Sequence, residues 1–149
     1  MSSPRTGALA GVVAMAILAG CAAPQPAVAV GFDGTDYLGI VVVCDERTSF
    51  TSVSFEVLEG AGTGVTWVGR TDLPVTYYRL GTDAPDNWIS TGGGLVSGTE
   101  YRFTATGDGV DAAGAPFTVA DLSTLGPDQV IDAAGQVRAA SEFLDTACS

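Results

Sequence analysis

The sequence predicts an all-β sandwich closed by short C-terminal helical elements. Three observations carry that reading. Short runs alternate apolar and polar side chains at the period of a strand, as Val53, Phe55 and Val57 do against Ser52, Ser54 and Glu56. Glycine clusters such as Gly60-Ala61-Gly62, Gly92-Gly93-Gly94 and Gly107-Asp108-Gly109 separate the runs. Towards the C-terminus the spacing changes, and Val119, Leu122 and Leu125 recur at the interval of a helix turn. A chain of 149 residues holds one ordinary domain.

Residues 1–20 stand outside that domain. Arg5 is their one charge, and Ala8 to Gly20 is uninterrupted small and apolar. That is the length of a secretory h-region, shorter than the roughly 20 residues of a membrane span. It ends in Leu18-Ala19-Gly20-Cys21. An aliphatic residue, two small residues and a cysteine in this order resemble the lipobox of bacterial lipoproteins. The resemblance implies cleavage before Cys21 and a diacylglyceryl thioether on its sulfur. It places the protein on the extracytoplasmic face of the cell membrane. Two or three buried acyl chains anchor stably where one does not. Residues 21–36, with Pro24 and Pro26 among small residues, are expected to form a flexible tether.

The folded part is expected over residues 37–149. Leu38 to Cys44 is β-branched and apolar on both faces, the pattern of a central strand. Ser52 to Leu58 is half-buried, and Thr63 to Val68 carries Trp67 into the core. Pro74 marks the start or edge of a strand over Val75 to Leu80. Trp88 to Ser90 is a short strand, and in Thr99 to Thr106 the side chains of Tyr101, Phe103 and Ala105 point inward. Pro116 to Ala120 is read as the last sandwich strand. Asp121 then caps a single helical turn, Leu122 to Leu125, ahead of Gly126 and Pro127. Gln129–Asp132 and Gln136–Arg138 form a small hairpin. Ser141 caps a final short helix with Phe143, Leu144 and Ala147 free to pack.

One stretch is more specific. Leu95-Val96-Ser97-Gly98-Thr99-Glu100-Tyr101 resembles the leucine, glycine-threonine, tyrosine corner of fibronectin type III and immunoglobulin-like domains. There the tyrosine hydroxyl bonds the backbone a few residues upstream. Val65-Thr66-Trp67 resembles that family's buried tryptophan strand, and Val75 to Arg79 its next strand. The resemblance runs from Ser52 to Ala120, leaving the strand at Leu38–Cys44 and the tail from Asp121 as additions. Together with the lipobox and an arginine-only basic set, the arrangement resembles the small lipoproteins of high-GC Gram-positive bacteria. That likeness carries no biochemical activity.

Export sets the cysteine arithmetic. Of three cysteines, Cys21 is the one the resemblance assigns to lipid, the alternative being an ordinary signal peptide cleaved near Ala22-Ala23; either way Cys44 and Cys148 are left. In an oxidising compartment an even pair implies a disulfide. The alternative is two separate buried thiols.

Composition excludes most chemistries. The chain has no histidine and no lysine, so it lacks His-dependent triads, His-ligated metals, a Walker lysine and a Schiff base. A net charge of -11 argues against nucleic acid as a partner. Carboxylates are the one plentiful reactive group. A cell-wall hydrolase would need two of them across a cleft, and Asp45, Glu46, Glu56, Glu59 and Glu100 are the candidates. No spacing among them identifies a pair. The acidic loops Asp33–Asp36, Asp83–Asn87 and Asp108–Asp111 match no EF-hand, and Asp and Gly favour tight turns without any ion. The sequence therefore assigns no catalytic residue, metal or cofactor. Trp88, between an acidic loop and three glycines, is the candidate binding aromatic. The expected role is a lipid-anchored binding or envelope-structural protein with a protein or glycan partner. The alternative is a carboxylate-dependent hydrolase.

Overall fold

The structure is a computed structural model, and it describes residues 25–71, 74–80 and 89–149. Two antiparallel sheets pack face to face. The first is built from β1 (Ala27–Phe32), β2 (Tyr37–Val42), β5 (Val75–Arg79), β10 (Gln129–Asp132) and β11 (Val137–Ala139). Their spatial order is β11-β10-β1-β2-β5. The second holds β3 (Phe50–Glu59), β4 (Val65–Thr71), β6 (Ile89–Gly92), β7 (Glu100–Gly107) and β8 (Val110–Ala113). Its order is β6-β4-β3-β7-β8, with the two-residue β9 (Phe117–Thr118) also on β7. Two short helices complete the fold, α1 (Val119–Ser123) and α2 (Ala140–Thr146).

In chain order β1 and β2 enter the first sheet, β3 and β4 the second, β5 the first, and β7 and β8 the second. That alternation is the immunoglobulin-like one, with strands A, B and E in one sheet and C, F and G in the other. The corner expected at Tyr101 is present. Its hydroxyl oxygen accepts the Val96 N–H at 2.8 Å. Aromatic rings fill the space between the sheets: Trp67, Tyr78, Tyr101, Phe50, Phe55, Phe103 and Phe117 are all fully buried. Phe55 and Phe103 lie 4.9 Å apart, and Trp67 and Tyr78 meet across the sheets at 5.6 Å. Gly39 on β2 makes room for this packing, since a Cβ there would lie 2.2 Å from the Phe103 ring.

The outer face of the first sheet is also covered. Ala29, Leu38, Ile40, Val42 and Val130 form a second apolar cluster with Phe143 of α2. Cys44 and Cys148 form a disulfide, with Cα atoms 5.2 Å apart, that fastens the segment after α2 to the end of β2. Arg138 reinforces the hairpin–helix unit, donating to Glu142 at 3.0 Å.

Several expectations are corrected. Of the residues 21–36 expected as a tether, Ala27–Phe32 is instead an interior strand between β2 and β10. Val28 and Val30 face the main core while Ala29 faces the α2 side, so its two faces show no polar alternation. The strand at Leu38–Cys44, expected as an addition, is β2, an integral member of the sandwich. Trp67 therefore sits on β4, in the sheet that also holds Tyr101, and Phe55 occupies the strand-C position. The turn at Gly107–Gly109 leads into β8, a strand the sequence reading lacks.

At the C-terminal end, Phe117 and Thr118 alone are strand, and helix begins at Val119. Thr118 is the N-cap, and Asp121 returns a bond to it from the third helical position in a capping box. α2 likewise starts at Ala140, with Ala139 as an N-cap that makes no side-chain bond, so Ser141 is no cap.

Candidate functional site

The strand registers define two poles. At one lie Pro26, Cys44, Pro74, the β7–β8 turn and the β10–β11 turn at Ala133 to Gln136. Gln25, Pro26, Asp111, Ala133 and Cys148 line one open depression there, of about 590 Å³. The other pole holds the β1–β2 turn, α1 and Pro127, where the Tyr37 hydroxyl lies 3.2 Å from the Ser123 hydroxyl.

A smaller groove of about 220 Å³ opens on the outer face of the first sheet, near this second pole. It exists because α2 covers only part of that face. Gly31, Leu38, Ile40 and Val130 form an apolar floor, and Ala140 and Pro127 stand on the α2 side. Opposite them, β5 alternation sends Tyr78 into the core and leaves Tyr77 outside, 39% exposed. Arg79, also on the outer side of β5, has its guanidinium carbon 5.8 Å from the Tyr77 ring centroid.

Asp33 closes the rim. Its carboxylate accepts the N–H groups of Asp36 at 2.8 Å and Thr35 at 3.0 Å. Its other oxygen accepts Arg79 Nε at 2.9 Å. The Asp36 N–H, then Arg79, then the Thr35 N–H hold its pKa down to about 2. A carboxylate bound this way is a structural anion, with no basicity left for proton transfer near neutral pH. An apolar floor, one exposed aromatic and a fixed ion pair at the rim suit a small apolar group carried on a polar chain.

The residues singled out in the sequence fall in different places. Leu18, Ala19, Gly20, Cys21 and Trp88 lie outside the described residues, as does the loop Asp83–Asn87. Cys44 and Cys148 are joined. Trp67 is buried in the core. Among the carboxylates, Glu56 faces Arg102 across β3 and β7, and Glu59 pairs with Glu100 near the far end of β3. Asp45 and Glu46 lie at the disulfide pole, beside a dimple of about 120 Å³, and Asp45 accepts the Arg47 N–H in a local turn. The fold thus separates these carboxylates into two groups at opposite ends of β3. Among the described residues no three His, Cys, Asp or Glu side chains are grouped to hold a metal ion.

The sequence by itself does not show the groove. Its walls come from the β1–β2 turn, β2, β5 and the β10–α2 region, which adjoin only in three dimensions. The one available signal was the tyrosine pair, in which alternation must expose one ring.

Fold and site together define a disulfide-closed, immunoglobulin-like sandwich with a helix-backed outer sheet and a small apolar groove. No protein-family model, curated protein or solved structure gives a significant match to the chain.

Proposed function

We propose that the protein is a lipid-anchored extracytoplasmic domain with a binding or envelope-structural role and no catalysis of its own. The observation that carries this is the cysteine arrangement. Of three cysteines, Cys44 and Cys148 are joined across a sequence separation of 104, and the third stands in the lipobox-like Leu18-Ala19-Gly20-Cys21. A long-range structural disulfide belongs to an oxidising compartment, which is where a lipidated Cys21 would put the chain. The groove beside Tyr77 supports the binding role, because it offers recognition chemistry and no activated nucleophile.

Mass spectrometry of the N-terminus from a lipidating bacterial host tests the anchor. The expected species begins at Cys21 and carries diacylglyceryl. An unmodified N-terminus beyond Cys21 refutes it. The binding role is tested by crosslinking in intact envelopes with the native protein and with Tyr77→Ser. The substitution should abolish specific adducts without moving Tm, and adducts that persist unchanged rule the groove out.

A further inference from the structure

From the fold we infer that the disulfide pole lies against the lipid bilayer and that the Tyr77 groove faces away from it. The inference rests on the anchoring reading above and adds an orientation to it. Four residue steps separate Cys21 from Gln25, and even fully extended they reach at most about 14 Å. Gln25 and Pro26 lie at the depression shared with Asp111, Ala133 and Cys148. The anchor therefore leaves from the disulfide pole. β3 runs from Phe50 at that pole to Glu59 near the other, nine steps or about 30 Å at strand rise. A leash of about 14 Å cannot carry the far pole round a body about 30 Å long.

The orientation has an electrostatic side. The bilayer-facing pole holds Asp45, Glu46, Asp108, Asp111 and Asp145 against Arg47 and Arg70. Anionic headgroups repel such a surface over about a Debye length, roughly 8 Å. The pole is thus pressed near the membrane by its leash and pushed off by charge. The domain cannot invert, so the far pole and its groove stay on average farther from the bilayer than the disulfide pole.

Photocrosslinking to lipid tests this on the full lipidated chain in phosphatidylcholine vesicles. The probe p-azidophenylalanine is placed singly at Asp108 or Ala134 on the disulfide pole, or at Thr35 or Pro127 on the far pole. All four positions are exposed. Melting curves verify that each variant folds, and the N-terminal mass is read on the same samples. Phospholipid adducts should be about fivefold or more abundant at Asp108 and Ala134, because the leash cannot span to the far pole. Inserting a flexible Gly/Ser segment of about 20 residues after Ala22 should erase the contrast. Equal adducts at both poles on lipidated protein, or a contrast that survives the insertion, overturns the orientation. A sample without lipid on Cys21 overturns the anchoring reading instead.

Discussion

Replacing both halves of the disulfide, as Cys44→Ala with Cys148→Ala, tests how the outer layer is held. The bond closes a loop with a sequence separation of 104. For a loop of that size the chain-entropy model gives about 4.7 kcal/mol, and measured disulfides mostly deliver about 2–4 kcal/mol. The expected loss is therefore about 2–5 kcal/mol. At an unfolding entropy of about 2.1 cal/mol/K per residue, that is a fall in Tm of roughly 8–20 °C. The damage should also have a location. α2 touches the sheet through Phe143, buried to 3% exposure, and through the half-buried Leu144 and Ala147. Without the bond these few contacts and the Arg138 bonds to Glu142 and Thr146 hold seven helical residues, too few for a helix stable by itself. Amide exchange should thus rise first in Ala140–Thr146 and only later in β3 and β7. The assay is urea unfolding of oxidised protein and double variant, with exchange read by mass spectrometry. A stability change below about 1 kcal/mol, or uniform exchange across both layers, would refute this account of the bond.

Three further perturbations follow. Tyr101→Phe removes the acceptor of the Val96 N–H and should cost about 0.5–1.5 kcal/mol in urea unfolding, with the fold unchanged. Gly39→Ala drives a methyl into the Phe103 ring and should cost about 1–3 kcal/mol or more, and adding Phe103→Leu should recover part of that loss. Asp33 makes a pH prediction. Its folded-state pKa of about 2 lies below the ordinary carboxylate value, so the stability it contributes is full above about pH 4 and lost as pH falls towards 2. Asp33→Asn should flatten that acid limb in urea titrations from about pH 6 downward, and an unchanged slope would mean that the Asp36 and Thr35 N–H groups and Arg79 together do not hold the carboxylate in solution.

What was legible in the sequence depended on how each segment meets water. β3, β5 and β7 have one wet face, so their alternation shows in the residues themselves. β1 has none, since the aromatic core and the α2 layer cover its two sides, and its small apolar run looks like a linker next to Pro24 and Pro26. β8 is four residues at a sheet edge, too short for periodicity to register. Thr118 and Asp121 form a reciprocal cap, and reading Asp121 alone moved the helix start by three residues. The disulfide pairing followed from counting. The groove did not, because no one segment contains it.

The pairing of Ala29 with Asp132 has a consequence for the history of the molecule. A chain made from its N-terminus exposes β1 early, and one of that strand's two neighbours arrives almost last. Until Gln129–Asp132 has been delivered, β1 has an open row of backbone donors and acceptors along one side. The sandwich is thus a late-closing fold dominated by distant contacts, a class that folds slowly and is exposed to mispairing while incomplete. Any product ending before Gln129 keeps that edge open for good. Synthesis errors and C-terminal clipping should therefore surface as aggregated chain and not as soluble half-domains.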